Sequence, residues 1–440
     1  MFRLLLLLPL LAPVQDAAEL IRKLEDDAFD VRERAQADLV KLGEAALPAL
    51  RKALGESKDR AELRLRVEAA VREIDLAVKT RQVCPEPKLI TLKSDGPLPL
   101  ILDEISKQAG LRLEASALGA DAKASLDVRD LPLLRVLDLL CRPGDERRWE
   151  FVEDDRVRFL KEPRPDWPTS YAGSFRVRAT SMKLSRSTDF KVKTSSLRVV
   201  LEADHDRRVK PSRGVEIEVT QAEDDKGSTV EARKGEEDDD AAMLGRNGGI
   251  RINRGFVRMQ VAGGGLDSSA GNETVTLKGL DPAATRVSFR GIATFRFPLD
   301  RAEVRFAPPQ AGETRDAADL KLKLETLGAG RWKLSVTKTK PDQGAQTLME
   351  DVQQRLDMDS LVGIDDEGME HKGTFQPSGD TMAARIVVVN GVVQQQVDGV
   401  SYLLQLPSLR GKAAREIRFK FADRVFEKKI PFSFENVPLP

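Results

Sequence analysis

The sequence predicts a multi-domain chain with an all-α N-terminal segment, a small α+β domain and two C-terminal antiparallel β sandwiches. Three observations indicate this order. Aliphatic residues recur with helical spacing near the N-terminus, strand and helix patterns alternate in the middle, and apolar and polar residues alternate along the remainder. A chain of 440 residues is long enough for about three domains.

The first segment, residues 1–17, is typical of a secretory signal peptide. Arg3 supplies a short basic region, the apolar run Leu4–Leu11 follows it, and small residues come next. The run is much shorter than the ~20 apolar residues that a membrane span needs. We therefore expect an exported protein of the periplasm or cell envelope without a membrane span; the alternative is a buried amphipathic first helix.

Residues 18–82 are predicted to form a short antiparallel array of helices. Aliphatic residues recur at helical spacing within Val31–Leu42, as expected for one buried helix face. Asp30 with Glu33 predicts a capped helix start, and Gly43 predicts the helix end.

The segment FDVRERAQADLVKLGEAALPALRKAL resembles a HEAT-like repeat, with Pro48 inside its second helix as in many such repeats. The resemblance implies a scaffold that presents a surface to other proteins. Because about three repeats are usually needed for an independent fold, the alternative is a helical cap on a neighbouring domain.

Residues 86–162 contain a repeated strand-helix unit, because the pattern of Pro97–Ala115 recurs in Leu131–Phe151. Strand and helix signals alternate with turn residues between them. This order predicts a β-α-β-β-α-β-β domain in which two helices pack on one face of a small sheet.

This pattern resembles the short N-terminal domain of secretins and TonB-dependent receptors. The matching positions are Leu98, Leu100, Leu102, Ile105 and Gly110 in the first half, and Leu133, Val136, Leu137 and Leu140 in the second. The resemblance implies an interaction and signalling module without catalytic residues. The membrane barrel or pore of those families is absent from this sequence, so no transport role is carried over.

A proline-rich linker, Lys161–Gly173, precedes a long region of short alternating runs. We expect one β sandwich at 170–310 and another at 311–440, with the boundary near Pro308–Asp319. The whole combination resembles exported bacterial multi-domain proteins that join a HEAT-like segment, a secretin/TonB short N-terminal-like domain and Ig-like β sandwiches. In the last strand, Phe432 and Phe434 are expected to seal the second sandwich.

A weak internal repeat supports two sandwiches, because Asp-Asp-x-Gly follows a strand at Asp224–Gly227 and again at Asp365–Gly368. Asp224, Asp225, Asp365 and Asp366 could bind calcium through carboxylate oxygens. Their spacing is not that of an EF-hand loop, whereas Asp-x-Gly suits a tight hairpin turn. We therefore predict turns and no metal ion.

Charge and aromatic content argue against several classes of function. The 71 basic and 71 acidic residues balance, so no global field attracts nucleic acid or an anionic membrane. Aromatic residues make up only 5% of the chain, which disfavours base-stacking platforms. The acidic cluster Glu236–Asp240 is interpreted as part of a solvated loop, and Trp149, Trp167 and Trp332 are expected to serve packing.

No catalytic constellation is evident in the sequence. His205 and His371 are the two histidines, too few for a multi-histidine zinc site, and both lie in polar turn-like contexts. There is no nucleophile elbow and no phosphate-binding loop. We predict a protein that is not an enzyme and takes no cofactor.

The cysteine pair leaves two alternatives open. Cys84 and Cys141 bracket the small α+β unit, so a disulfide between them would close its two ends. Two unpaired buried thiols are the other interpretation, because free cysteine is commonly a small core residue.

Together these features predict a non-catalytic exported envelope protein that acts as a protein–protein interaction or structural scaffold, with an unidentified envelope protein as partner. One alternative is a glycan or cell-wall binding module through the sandwich loop Arg246–Gly265, where Phe256 is the available aromatic residue. Another is a carboxylate-dependent hydrolase. The sequence leaves the oligomeric state open.

Overall fold

The computed structural model describes most of the chain. The described residues are 12–57, 59–119, 121–142, 144–153, 155–189, 192–212, 214–234, 271–309, 312–328, 330–339, 345–378, 383–389, 392–409 and 413–440. The chain divides into two compact units, Met1–Pro85 and Glu86–Pro440.

The first unit is helical, which confirms the predicted N-terminal helical segment. Its helices are α1 (Ala12–Lys23), α2 (Phe29–Leu42), α3 (Leu47–Glu56) and α4 (Ala61–Val83). Their apolar faces meet in one buried cluster that includes Leu39, Leu50, Val67 and Ile74. The helical spacing of aliphatic residues in the sequence therefore marks a real core.

The ends of α2 show one correct and one wrong expectation. Gly43 ends the helix with a φ of 62°, a left-handed conformation that glycine adopts easily. The predicted capping by Asp30 and Glu33 is wrong, because Ala28 precedes the helix and Asp30 lies in the first turn. Asp26 instead accepts a 2.9 Å hydrogen bond from the Ala28 amide.

The second unit begins with a mixed α and β segment. Its elements are β1 (Leu89–Pro97), α5 (Leu98–Ala109), β2 (Arg112–Glu114), β3 (Lys123–Pro132), α6 (Leu133–Leu140), β4 (Arg148–Glu153) and β5 (Arg156–Leu160). The strands form two sheets instead of the single sheet expected: β1 pairs with β3, and β5 lies between β2 and β4. Both helices contact strands of both sheets.

The shape of α6 explains why one sheet is not enough. Six residues of this eight-residue helix are buried; five of them are apolar and form one broad face, and the sixth is Asp138. A helix with so broad an apolar surface needs cover on more than one side. Strands β1 and β3 supply part of that cover, and β4 supplies another part.

The rest of the chain is dominated by antiparallel strands. They are β6 (Thr169–Ala172), β7 (Phe175–Asp189), β8 (Val192–His205), β9 (Glu216–Asp224), β10 (Glu231–Lys234), β11 (Gly271–Lys278), β12 (Arg286–Phe306), β13 (Glu313–Ala317), β14 (Leu320–Gly328), β15 (Arg331–Lys338), β16 (Val362–Asp365), β17 (Glu370–Lys372), β18 (Thr374–Pro377), β19 (Ala383–Val389), β20 (Val392–Gln405) and β21 (Ala414–Pro438).

These strands form three sheets. The first sheet has the order β10-β11-β8-β7-β6, and the middle sheet has the order β17-β16-β21-β12-β9. The last sheet has the order β13-β14-β15-β20-β18, with β19 paired to β20. In β14 and β15, alternate residues are buried, as the period-two pattern in the sequence predicts.

The middle sheet packs against both of the others in a sandwich-like arrangement. Phe295 of β12 lies 4.5 Å, between ring centroids, from Phe175 in the first sheet. Phe419 of β21 lies 5.5 Å from Phe375 in the last sheet. One long pair of strands thus contributes to two apolar cores.

Strand β21 reaches back across the predicted boundary at Pro308–Asp319. It pairs with β12 along nearly its full length, from Phe306 opposite Ile417 to Arg286 opposite Pro438. Phe432 and Phe434 are buried as expected, but they lie beside the N-terminal part of β12 and not within the last sheet. The two halves of the β region therefore share a continuous sheet.

One helix in this region was not predicted. Helix α7 (Ala345–Arg355) buries Leu348 and Val352, and Leu356 just beyond it joins the same core. These residues are spaced four apart, which is helical spacing. The preceding and following strand patterns masked this short signal.

Candidate functional site

A cleft of about 610 Å³ lies where the α+β segment meets the first sheet. We call it the central cleft. Its lining comes from β4, from the proline-rich linker, from β7 and from β8, and it comprises Asp138, Arg148, Trp149, Glu150, Phe151, Glu162, Pro163, Arg164, Pro165, Trp167, Arg176, Arg178, Glu202, Asp204 and Arg207.

Strand alternation places the charged residues of this cleft. On β7, Arg176 and Arg178 share one face, and the cross-strand partners are Asp204 opposite Arg176 and Glu202 opposite Arg178. Each arginine binds the carboxylate opposite it. The intervening residue Val177 is also buried, so both faces of β7 are covered here.

Asp138 of α6 is the centre of a buried polar network, which we call the Asp138 node. Its side chain is 4% exposed. Arg176 donates to both carboxylate oxygens at 3.0 Å, the Trp149 indole N–H donates at 2.8 Å and the Tyr171 hydroxyl donates at 2.5 Å. Arg164 of the linker forms an ion pair with it at 3.2 Å. This carboxylate of α6 therefore contacts β4, β7 and two residues of the linker region, Arg164 and Tyr171 of β6.

Arg176 bridges two buried carboxylates. Its Nη2 donates to Asp204 Oδ2 at 2.7 Å, and its guanidinium lies 4.5 Å from the centre of the Trp149 ring. Burial alone would lower the pKa of Arg176, but Asp204 and Asp138 outweigh burial and raise it. Burial would likewise raise the pKa of Asp204, yet Arg176 and Arg178 hold it below its usual value. The pair is charged at neutral pH.

Arg178 is less well compensated. It pairs with Glu202, lies 4.0 Å from Asp204 Oδ2 and lies 5.1 Å from the centre of the Trp167 ring. Its Nε is buried and has no hydrogen-bond partner among the residues that the structure describes. Burial and then the neighbouring Arg176 lower the pKa of Arg178.

Ion pairs also fix the outer rim of the cleft. Arg148 donates to Glu162 at 2.6 Å and to Glu150 at 3.3 Å, and Arg158 donates to Glu150 at 2.6 Å. The hydrogen bond from Arg158 is the main cause of the lowered pKa of Glu150. A general acid of a glycoside hydrolase needs a raised pKa. The carboxylates that meet here instead act as acceptors for arginine.

The predicted turn aspartates share one geometry. Asp224 Oδ1 accepts hydrogen bonds from the amides of Lys226 and Ser228 at 2.9 and 3.0 Å. Asp365 Oδ1 accepts from the amides of Glu367 and Met369 at 3.0 and 2.9 Å. The internal repeat is therefore a repeated Asp-centred turn.

The carboxylate that follows Asp224 in the first of these turns binds a nearby threonine. Asp225 accepts from the amide and hydroxyl of Thr285 at 3.0 and 2.7 Å. In the described ranges, no group of three or more His, Cys, Asp or Glu side chains has the arrangement of a metal site.

His371 makes a contact that the sequence analysis missed. Its Nε2 lies 3.0 Å from Asp365 Oδ2, and its Nδ1 lies 3.1 Å from Ser408 Oγ. These are the residue types of a catalytic triad; six residues separate Asp365 from His371, and 37 separate His371 from Ser408. Ser408 is exposed on a short turn, and Asp224 builds the same turn without a histidine. We interpret His371 as a structural link between two turns.

His205 is buried, in contrast to the polar turn expected for it. It is 3% exposed, and its Nδ1 lies 3.0 Å from the Asp206 carbonyl oxygen. Burial lowers the pKa of His205 from its ordinary value of 6.5. As the pH falls below 6.5, the unfolded chain therefore binds a proton before the folded chain does.

This shift predicts a pH-dependent stability. His205 contributes fully to the free energy of unfolding above pH 6.5. This contribution is lost as the pH falls through the pKa of the folded state, which is the lower of the two. We expect the His205→Gln variant to lose less stability than the natural chain between pH 7 and pH 5, measured by urea unfolding. Equal losses in the two proteins would contradict the assignment.

Several sequence-predicted features fall elsewhere. The acidic cluster Glu236–Asp240 and the loop Arg246–Gly265 with Phe256 lie outside the described residues. Cys84 is buried, and Cys141 is a free buried thiol that is not joined to it. Burial raises the pKa of Cys141 to about 12, so its thiol is neutral at physiological pH.

The Asp138 node was not predicted from the sequence. The sequence nevertheless contains an indication of a buried charge at this position, because Asp138 interrupts the otherwise apolar face of "LPLLRVLDLL". A carboxylate in such a helix must find buried partners or avoid burial. Trp149 was expected to pack, and it does so against Arg176 while also donating to Asp138.

The helices in the described part of the chain include none with the length and apolarity to cross a membrane. No protein-family model, curated protein or solved structure matches the chain.

Proposed function

We propose that this protein is an exported, non-catalytic scaffold of the cell envelope that binds another protein. In this proposal the chain is laid out as a HEAT-like helical segment, a domain similar to the secretin/TonB short N-terminal domain, and two β sandwiches. The basic and apolar start of the sequence supports export. The helical array and the small sheets supply surfaces of the kind that protein partners bind.

The Asp138 node is the observation that carries the proposal. It joins α6, β4, β7 and the linker with β6 through one buried carboxylate, and Arg178 pairs with Glu202 and Arg148 with Glu162 elsewhere in the central cleft. Removing one member of such a network leaves a buried charge without compensation. The arrangement therefore favours a fixed joint that holds the α+β segment against the first sheet.

A fixed joint is useful to a scaffold because binding then requires little ordering of the surface. The charged groups of the cleft have the wrong electrostatics for the hydrolase alternative, since Glu150 and Asp204 are both held as anions. The scaffold proposal needs no side chain with a raised pKa.

Affinity capture tests this function. The tagged full chain would be incubated with a native envelope extract, and retained proteins would be identified by mass spectrometry and confirmed by reciprocal capture. We expect one defined partner, retained by Asp127→Asn and lost from Asp138→Asn. Asp127 is a matched control because it pairs with Lys93 on the surface and is 71% exposed.

Circular dichroism would first show that each variant is folded at the assay temperature. Capture of no specific protein, together with retention on isolated cell-wall polymer, would contradict the scaffold proposal. Equal capture by the natural chain and Asp138→Asn would show that the joint is irrelevant to binding.

A further inference from the structure

We propose that helix α4 forms an antiparallel pair with α4 of a second copy of this chain, so that the protein dimerises. The contact uses the outer face of the helix, which we call the α4 seam and which comprises Glu62, Leu65, Ala69, Arg72, Leu76 and Lys79. This goes beyond the scaffold function, because the partner is the chain itself. The inference rests on exposed leucines, on heptad spacing and on charges that match in antiparallel order.

Two large apolar side chains of α4 face solvent. Leu65 is 63% exposed and Leu76 is 37% exposed. They are three helical turns apart, so they lie on the same side of the helix. On the opposite side lie the buried residues of this helix, Leu63, Val67, Ala70 and Ile74. The leucines of the α4 seam are therefore not an extension of the core, and such a second apolar row indicates a contact surface.

The spacing of the α4 seam is that of a coiled coil. Its successive members are three, four, three, four and three residues apart, so they alternate between the a and d positions of a heptad. From Glu62 to Lys79 the seam rises about 26 Å at 1.5 Å per residue. Helices with such a stripe pack side by side at a crossing angle of about 20°. The spacing therefore favours another helix as the occupant of this face.

An antiparallel second copy matches the α4 seam layer by layer. When Leu65 of one copy lies opposite Leu76 of the other, the two-fold axis creates two leucine layers. The same alignment sets Glu62 opposite Lys79, which joins an acid to a base. It also sets Ala69 opposite Arg72, whose aliphatic stem can cover the small side chain while its charge stays in water.

The parallel alternative lacks this complementarity. A parallel pair would set each residue against its own copy, so Arg72 would meet Arg72 and Lys79 would meet Lys79. Like charges in facing positions are destabilising. The order of charges along α4 therefore selects a second copy in the antiparallel direction.

The N-terminal end of the α4 seam is open to such a partner. Glu62 is already bound by Arg32 and Arg66, each at 3.2 Å, but its side chain remains 64% exposed. Phe29 of α2 lies beside the same arginines, 5.8 Å from each guanidinium carbon to the ring centre, and is 63% exposed. Its ring adds apolar surface where the C-terminal turns of the second α4 would lie.

Sedimentation equilibrium of the full chain tests the proposal. We expect a monomer–dimer equilibrium with a dissociation constant of about 10–100 µM, since one helix pair is a small interface. Leu65→Lys and Leu76→Lys should each weaken dimerisation by about tenfold or more, because each places a charge against a leucine of the second copy. Both positions are solvent-exposed in the single chain, and circular dichroism would confirm that the variants are folded.

Two further variants separate this contact from nonspecific association. Leu100→Lys is the matched control, because Leu100 is 65% exposed on a helix of the other compact unit, and it should dimerise like the natural chain. The double variant Leu65→Lys with Leu76→Glu should dimerise more tightly than either Leu65→Lys or Leu76→Glu alone. Antiparallel pairing sets the new base of one copy opposite the new acid of the other.

Three results would overturn the inference. The first is a natural chain that stays monomeric up to about 300 µM, well above the expected dissociation constant. The second is equal dimerisation of the natural chain and Leu65→Lys, which would locate the contact elsewhere. The third is a double variant no better than its single variants, which would exclude the antiparallel alignment. Capture of an envelope protein is measured separately, so the scaffold proposal can fail or hold independently.

Discussion

Replacing Asp138 with asparagine is expected to lower the free energy of unfolding by about 3–5 kcal/mol, the usual cost of breaking a buried ion pair from one side. The change removes the negative charge that faces Arg176 and Arg164. It also places an amide N–H₂ where arginine, tryptophan and tyrosine donors already converge. Urea unfolding followed by circular dichroism measures the effect.

Asp127→Asn supplies the comparison for this experiment. Asp127 and its partner Lys93 are 71% and 83% exposed, and surface pairs of this kind contribute about 0–1 kcal/mol. We expect this variant to be nearly as stable as the natural chain. If Asp138→Asn were equally harmless, the Asp138 node would not be a source of stability.

Replacing Gly291 with alanine is expected to cost about 3 kcal/mol or more, or to prevent folding, because the new methyl group has no space. A Cβ at this position would lie 2.0 Å from the backbone oxygen of Glu218 and 2.6 Å from the Phe432 ring. Gly291 lies on β12, between β9 and β21. The substitution therefore disrupts the sheet that joins both halves of the β region.

Gly55→Ala is the control for Gly291→Ala. Gly55 lies in α3, and an added Cβ would meet no atom within 4 Å. Alanine favours a helix over glycine by about 0.5–1 kcal/mol, so this variant should be slightly more stable. Thermal unfolding would compare the two, and a soluble Gly291→Ala protein with an unchanged midpoint would contradict the close packing of β9, β12 and β21.

Local patterns predicted much of the secondary structure. The run "PLPLILDEISKQAG" predicted a helix, and α5 occupies Leu98–Ala109 with Gly110 in a left-handed conformation just after it. The alternating run "RRWEFVED" predicted a strand that is now β4. Such signals depend on near neighbours, so they can be read from sequence alone.

Strand length and pairing were harder to predict. The two runs "RVSFRGIATFRF" and "AEVRFA" are parts of one strand, β12, that continues through Asp300. Asp300 resembles a turn residue and has a φ of 53°, but Arg424 of β21 binds it at 2.6 Å. This partner is more than a hundred residues away, so local composition gave no indication of a continuous strand.

The central cleft likewise could not be predicted from local sequence patterns. Arg176 and Asp204 look like ordinary polar strand residues in the sequence, and 38 residues separate Asp138 from Arg176. The pairing of β7 with β8 brings Arg176 opposite Asp204, and packing against β4 then buries both. The site results from tertiary contacts and not from a motif.

Hydrogen–deuterium exchange of the full chain tests most directly whether the Asp138 node joins these segments. We predict that Asp138→Asn speeds exchange in α6, β4 and β7 together, because losing the node should lower the opening free energy of all three. Strands β14 and β15, which belong to another core, should keep their protection. Faster exchange in α6 alone, with β4 and β7 unchanged, would contradict a joint built on Asp138.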